Sequence, residues 1–135
     1  MTDPELIAKK LAAIETAVEQ LRTLAQPENL SHDIREQRFI EHTLQIAIQA
    51  ALDTASHIVS DRRLGEPESN RGLFELLRRD GWIDEDLHRT LSEMAGFRNV
   101  LVHGYAEVDV EIVRYVVEHR LDDLVRYVGS VRKRL

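Results

Sequence analysis

Met94-Ala95-Gly96-Phe97-Arg98-Asn99-Val100-Leu101-Val102-His103-Gly104-Tyr105 sets an arginine inside an apolar run. Read as a helix advancing about 100° per residue, the segment gathers Leu87, Leu91, Met94 and Val102 on one face, with Arg98 in the middle of it. A guanidinium in that position has to be paired or put to use, because an isolated charge is costly away from water. Phe97, Val100 and Leu101 make the other sides apolar as well. The segment therefore needs cover all round, and a second surface has to supply it.

Arg98 and His103 stand at the spacing R-x4-H, which chance supplies easily. Arg114 and His119 repeat it, but in a charged helix with no glycine before and no tyrosine after, and that copy reads as a solvated face. The first copy differs in its context: Gly96-Phe97 ahead, the polar Asn99 beside the arginine, three apolar residues, then His103-Gly104-Tyr105. In this form the stretch resembles the signature of HEPN-domain ribonuclease toxins. More narrowly it is similar to the toxin half (HepT-like) of HEPN/MNT toxin-antitoxin modules, whose motif is R-x4-H-x-Y with a polar residue after the arginine. Length and helix order extend the resemblance over nearly the whole chain. The resemblance implies a composite active cleft at a homodimer interface, an RNA substrate, and Arg98, Asn99 and His103 as catalytic residues. It further implies a cognate MNT-type nucleotidyltransferase antitoxin that adenylylates Tyr105, in a type II/VII-like module.

At 135 residues the chain suits a single helical domain, 1–135. Its 43% hydrophobic and 31% charged residues describe an ordinary soluble globular protein. With no apolar run of bilayer length and no signal-peptide pattern at the start, a cytoplasmic location without a membrane partner is expected. The absence of cysteine excludes disulfides, thiol nucleophiles and Cys-based zinc sites. A net charge of -6 argues against nucleic-acid binding through a bulk field, so an RNA substrate needs a local basic patch. Arg132-Lys133-Arg134, Arg62-Arg63 and Arg78-Arg79 are candidates. They read equally well as basic helix ends that suit the helix dipole.

Along the chain, Asp3-Pro4 opens a helix whose stripe is Ile7, Leu11, Ile14, Val18, Leu21 and Ala25. Gln26-Pro27-Glu28-Asn29 ends it, and Ser31 is read as the cap of a long second helix reaching about Ser60. That helix turns Ile46, Gln49, Ala50, Asp53 and His57 away from its main apolar face, with no lysine or arginine among them. This side is too uncharged for open solvent and reads as partly buried against another subunit, with Asp53 as a supporting partner of Arg98. Asp53 and His57 read alternatively as an ordinary i, i+4 surface pair. After the loop Arg62 to Ser69, a short helix from Asn70 to Arg79 ends before Gly81, and Trp82 and Ile83 plug the core. Asp84 caps a fourth helix that carries the signature to about His103, where Gly104 breaks it. Asp109 opens a last helix striped by Val110, Val113, Val117, Leu121, Leu124, Val128, Val131 and Leu135. The expected architecture is an all-α antiparallel bundle of four long helices plus one short one, HEPN-like, paired as a two-fold dimer.

On a regular helix Arg98 and His103 diverge by about 140°, so one chain cannot easily aim both at one phosphate. A two-fold partner placing a second pair opposite solves this. RNA cleavage without metal needs a base for the 2'-hydroxyl, an acid for the leaving 5'-oxygen and a cation for the phosphate oxygens. His103 suits both proton roles near neutrality, Arg98 suits the phosphate, and Asn99 suits a hydrogen bond to the phosphate or to His103. DNA, lacking the 2'-hydroxyl, is not a substrate on this scheme. His103 reads alternatively as a helix-end histidine satisfied by backbone carbonyls, and Tyr105 as a packed hydrophobic cap. Glu85-x-x-His88 is the sole E-x-x-H, too few for a di-iron bundle. No metal or cofactor is expected. The reading from another class is a non-catalytic helical module that binds a nucleotidyltransferase or nucleotide.

Overall fold

The computed structural model describes residues 3–103 and 108–135, and of His103 the backbone alone. Among the described residues every regular element is helical. Helix α1 (Pro4–Leu24) starts at Asp3, whose carboxylate accepts from the Glu5 and Leu6 N–H groups at 3.1 and 3.2 Å. It buries Ile7, Leu11, Ile14, Val18 and Leu21 of the expected stripe, while Ala25 lies past its end as the extended C-cap.

A 3-10 turn (Pro27–Asn29) leads into α2 (Ile34–Asp61), and the cap there is Asp33 rather than Ser31. The reason lies in the backbone. His32 and Asp33 still donate back to the Asn29 carbonyl at 3.2 and 2.9 Å, so the chain is turning until residue 33. Asp33 is then extended (φ -122°, ψ 106°) and accepts from Arg35 N–H at 2.9 Å. The Ser31 hydroxyl accepts instead from Arg114 at 3.2 Å, and Arg114 also donates to the Pro27 carbonyl at 3.2 Å. In the second R-x4-H copy His119 is exposed, as expected of a solvated face, but Arg114 is partly buried and straps a later helix to this turn.

Helix α3 (Asn70–Arg79) is capped by Ser69 and stopped by Gly81, whose φ of 79° lies in the left-handed region that glycine adopts freely. Asp84 caps α4 (Glu85–His103) through a 2.8 Å bond from Leu87 N–H. The expected break at Gly104 lies outside the described residues. The last stripe is carried by two helices, α5 (Val110–His119) and α6 (Leu121–Arg132), which meet at Arg120 (φ -117°, ψ -2°). Neither proline nor glycine stands at residues 119–121. The break follows from packing, since α5 lies on the Pro27–Asn29 turn while α6 turns into the slot between α1, α2 and α4.

One apolar cluster runs through all six helices and takes in Trp82 and Ile83. At its centre Tyr127, fully buried, shares a 2.6 Å hydrogen bond with Thr54, donates to the Ala51 carbonyl at 3.1 Å, and meets Phe74 edge-on. Burial pushes its phenol above the ordinary value. No helix among the described residues is long and apolar enough to cross a membrane.

Helices α3 and α4 are clamped by Glu75, which takes Arg78 at 2.6 Å, Arg79 at 3.0 Å and His88 Nε2 at 3.1 Å. The hydrogen bond from Arg78 is the main reason that the Glu75 carboxyl is held down at about 2 instead of 4.5. A carboxyl depressed in the folded state favours folding above its unfolded value, and the contribution disappears as pH falls from 4.5 through about 2. Urea midpoints measured from pH 5 to pH 2 should therefore fall less steeply for Glu75→Gln than for the parent. Equal slopes would remove Glu75 from the acid response.

Candidate functional site

The core face of α4 begins with Leu87, Leu91 and Met94, all buried, and one turn later that face carries Arg98. Arg98 is half-buried, and its Nε is fully enclosed with no hydrogen-bond partner. Nη1 lies 3.4 Å from Asn99 Oδ1, at the long limit of a hydrogen bond. No carboxylate among the described residues pairs with this guanidinium. Phe97, Leu101 and Val102 are half-covered, Asn99 is exposed and Val100 is 45% exposed. The cover expected all round this segment is thus not supplied by the described residues of the chain.

The backbone stays helical to His103, which keeps positions 98 and 103 about 140° apart. Positions 96, 99 and 103 share the opposite side. The side chain of His103, and Tyr105 altogether, lie outside the described residues. Asp53 is not the counter-ion of Arg98 within the chain. It accepts from Lys10 Nζ at 3.1 Å and Gln49 Nε2 at 2.8 Å, in a shallow groove between α1 and α2. His57, set aside as an i, i+4 partner of Asp53, accepts from the Asp3 N–H at 3.2 Å instead. On that same side Ala50 is buried, Gln49 Oε1 is enclosed without a partner, and Ile46 remains 44% exposed.

The three basic clusters are largely committed to the fold. Arg78 and Arg79 share Glu75, Arg132 grips Glu15 through both terminal nitrogens at 2.6 and 2.9 Å, and Arg62 and Arg134 stack on Trp82 with Cζ 5.4 and 4.3 Å from the ring centre. His88 lies between Glu75 and Glu85, and no group of three or more potential metal ligands occurs among the described residues. Sequence reasoning passed over Arg71, an exposed residue in the first turn of α3 whose guanidinium rests on the backbone of α4 at Gly96. The available signal was Gly96 itself, since glycine in a helix interior costs about 1 kcal/mol relative to alanine and asks for a reason.

A model of the family described as ribonuclease HepT-like matches residues 14–131. The mRNA nuclease HepT of Shewanella oneidensis is 30% identical over 129 residues, covering 95% of this chain and 97% of that protein. The tRNA nuclease HepT of Aphanizomenon flos-aquae is 28% identical over 138 residues, covering 98% and 92%. Among solved structures, a tri-AMPylated HEPN toxin of Shewanella oneidensis in complex with MNT antitoxin superposes with a TM-score of 0.89 at 30% identity, over 97% of this chain and 99% of that one.

An arginine kept for chemistry rather than for the fold can be replaced without loss of stability. Arg98→Met keeps the apolar stem and removes an enclosed, unpartnered donor. Its thermal midpoint should equal or exceed that of the parent, by up to about 4 °C for a gain of about 1 kcal/mol. A fall of that size in a melting curve would show that Arg98 is paired and structural.

Proposed function

This chain belongs to the ribonuclease HepT-like family, and from that premise we propose that it is a metal-independent endoribonuclease, the cytoplasmic toxin of a two-gene module, formed by one helical domain acting as a homodimer. The observation that carries the proposal is Arg98, a guanidinium on the core face of α4 with no carboxylate partner among the described residues, followed at the family spacing by His103 and Tyr105. In the reaction His103 takes the proton of a 2'-hydroxyl, whose oxygen attacks the adjacent phosphorus. The 5'-oxygen leaves with a proton from the His103 of the second copy, and a 2',3'-cyclic phosphate remains. Arg98 neutralises the equatorial phosphate oxygens as charge builds on them, and Asn99 hydrogen-bonds the phosphate or fixes the His103 tautomer. RNA as substrate is supported by the nuclease names of the two relatives.

The dimer is supported by the bare end of α4. A two-fold partner set against Phe97 to Val102 and the Ile46–Asp53 side would cover Val100 and Ile46 and bring each Arg98 opposite the other copy's His103. In such a pairing Asp53 of one copy supports the cleft from the side. Regulation runs through Tyr105. A cognate MNT-type nucleotidyltransferase transfers adenylate from ATP to its hydroxyl, and the added phosphate occupies the guanidinium and repels the RNA backbone. The AMPylated state of the related toxin in its MNT complex supports this.

Purified protein should cut RNA in EDTA, and His103→Ala should lower the rate by about 10²–10⁴-fold with its helical circular dichroism intact. In the same assay Val100→Glu should lose dimer and activity together, light scattering reporting the first. Cleavage by the histidine variant at the parental rate refutes the mechanism, and an undisturbed Val100→Glu dimer or a monomeric parent refutes the shared cleft. With the partner enzyme and ATP, adenylate mass should appear on the peptide containing Tyr105 and be missing in Tyr105→Phe. If the variant is modified and silenced as readily as the parent, this tyrosine is not the acceptor.

A further inference from the structure

A β-carbon on residue 96 would overlap Nη2 of Arg71 and stand 3.1 Å from its Cζ and 3.3 Å from its Nε. The guanidinium from the first turn of α3 therefore occupies a seat on α4 that exists because residue 96 has no side chain. Helices α3 and α4 carry five arginines, and their pairing is uneven. Arg78 and Arg79 are matched to Glu75, and Arg89 to Asp86. Arg71 and Arg98, at the other end of the helix pair, have no carboxylate partner among the described residues. They also serve different sides of α4. Position 98 is about 200° from position 96, whereas positions 99 and 103 lie on the side of Gly96, the latter roughly 10 Å farther along the axis. Within one chain Arg71 is thus the cation seated at Gly96 on that side, while Arg98 reaches Asn99 Oδ1 from the neighbouring side at 3.4 Å.

We propose that Arg71 is a substrate-binding residue, which holds a backbone phosphate of the RNA strand beside the scissile one and so sets the strand along the Gly96–Asn99–His103 side of α4. The proposal rests on the ribonuclease reading and deepens it. A chain with a net charge of -6 must attract RNA through a few local cations, and most candidate cations are already held by acids or by Trp82. A guanidinium resting on backbone, with no carboxylate partner among the described residues, keeps donors free for phosphate oxygens in fork geometry.

Binding without turnover separates this role from catalysis. A fluorescent, 2'-O-methylated single-stranded oligoribonucleotide, which lacks the attacking hydroxyl, serves as the probe in anisotropy titrations at several salt concentrations. Arg71→Ala should weaken binding about tenfold and reduce the salt slope by about one, while Arg71→Lys should retain most of the affinity. Gly96→Ala, which dislodges the guanidinium and leaves its charge in place, should weaken binding as well. The double variant should then be no worse than Arg71→Ala, because both changes remove one contact. Parental affinity and slope in Arg71→Ala would overturn the assignment, and parental affinity in Gly96→Ala would overturn the role of the seat. A parent that binds the probe but leaves unmodified RNA intact would defeat the nuclease reading and preserve the binding residue. A parent that does not bind the probe would defeat both.

Discussion

A guanidinium with no carboxylate partner among the described residues, at the end of a helix, can act on a substrate only if the helix itself does not move, and the structure holds α4 from its other end. Asp84 caps it, Glu75 grips it through His88, and Arg126 ties Asp84 at 3.5 Å and Asp86 at 3.2 Å to α6. Ion pairs of this exposed kind are individually weak. Here they share partners across three helices, on a helix whose Leu87, Leu91 and Met94 are buried. The charges at the first turns of α4 are satisfied by partners, whereas Arg98 near its last turn has no carboxylate partner among the described residues.

This division also reconciles an acidic protein with a polyanionic substrate. Many of the acids are engaged locally, on helix caps and on arginines of the fold. Glu15 meets Arg132, Glu75 meets Arg78 and Arg79, and Asp80 meets Arg134. Repulsion from a net charge of -6 is screened within about 10 Å at ordinary salt. What an approaching phosphate feels near Arg98 is governed by that neighbourhood and not by the total.

Much of this was legible in the sequence because helix starts are written in local chemistry. Asp3, Asp84 and Asp109 each cap the helix assigned to them, and the short helix from Asn70 to Arg79 falls between the expected loop and Gly81, with Ser69, the last residue of that loop, as its cap. Ser31 misled because a serine and an aspartate two residues apart are both competent caps, and the 3-10 turn between the helices decided for Asp33. The break at Arg120 left no mark, since a stripe of threes and fours is the same whether one helix carries it or two. At the site, Arg98 stood out as a charge in an apolar face, which is a one-dimensional anomaly. The commitment of Asp53 to Lys10 and the seating of Arg71 on Gly96 join residues far apart in the chain, and only tertiary structure reveals such pairings.

The position of α6 has a consequence for how the protein comes into being. It fills the slot between α1, α2 and α4 with Leu121, Leu124, Tyr127, Val128 and Val131, and it fastens Arg22 to Asp122 and Arg132 to Glu15 across that slot. A chain emerging from the ribosome makes α4 well before α6, so the helix bearing Arg98 exists for a time without the wedge that immobilises it. Tyr127 delivers its hydroxyl to Thr54 and Ala51, more than seventy residues earlier, only when that wedge is seated. Until then the core is open and the arginine has no fixed address. Closure of the core around α4 is thus deferred until α6 is made, a form of timing that comes from chain order alone.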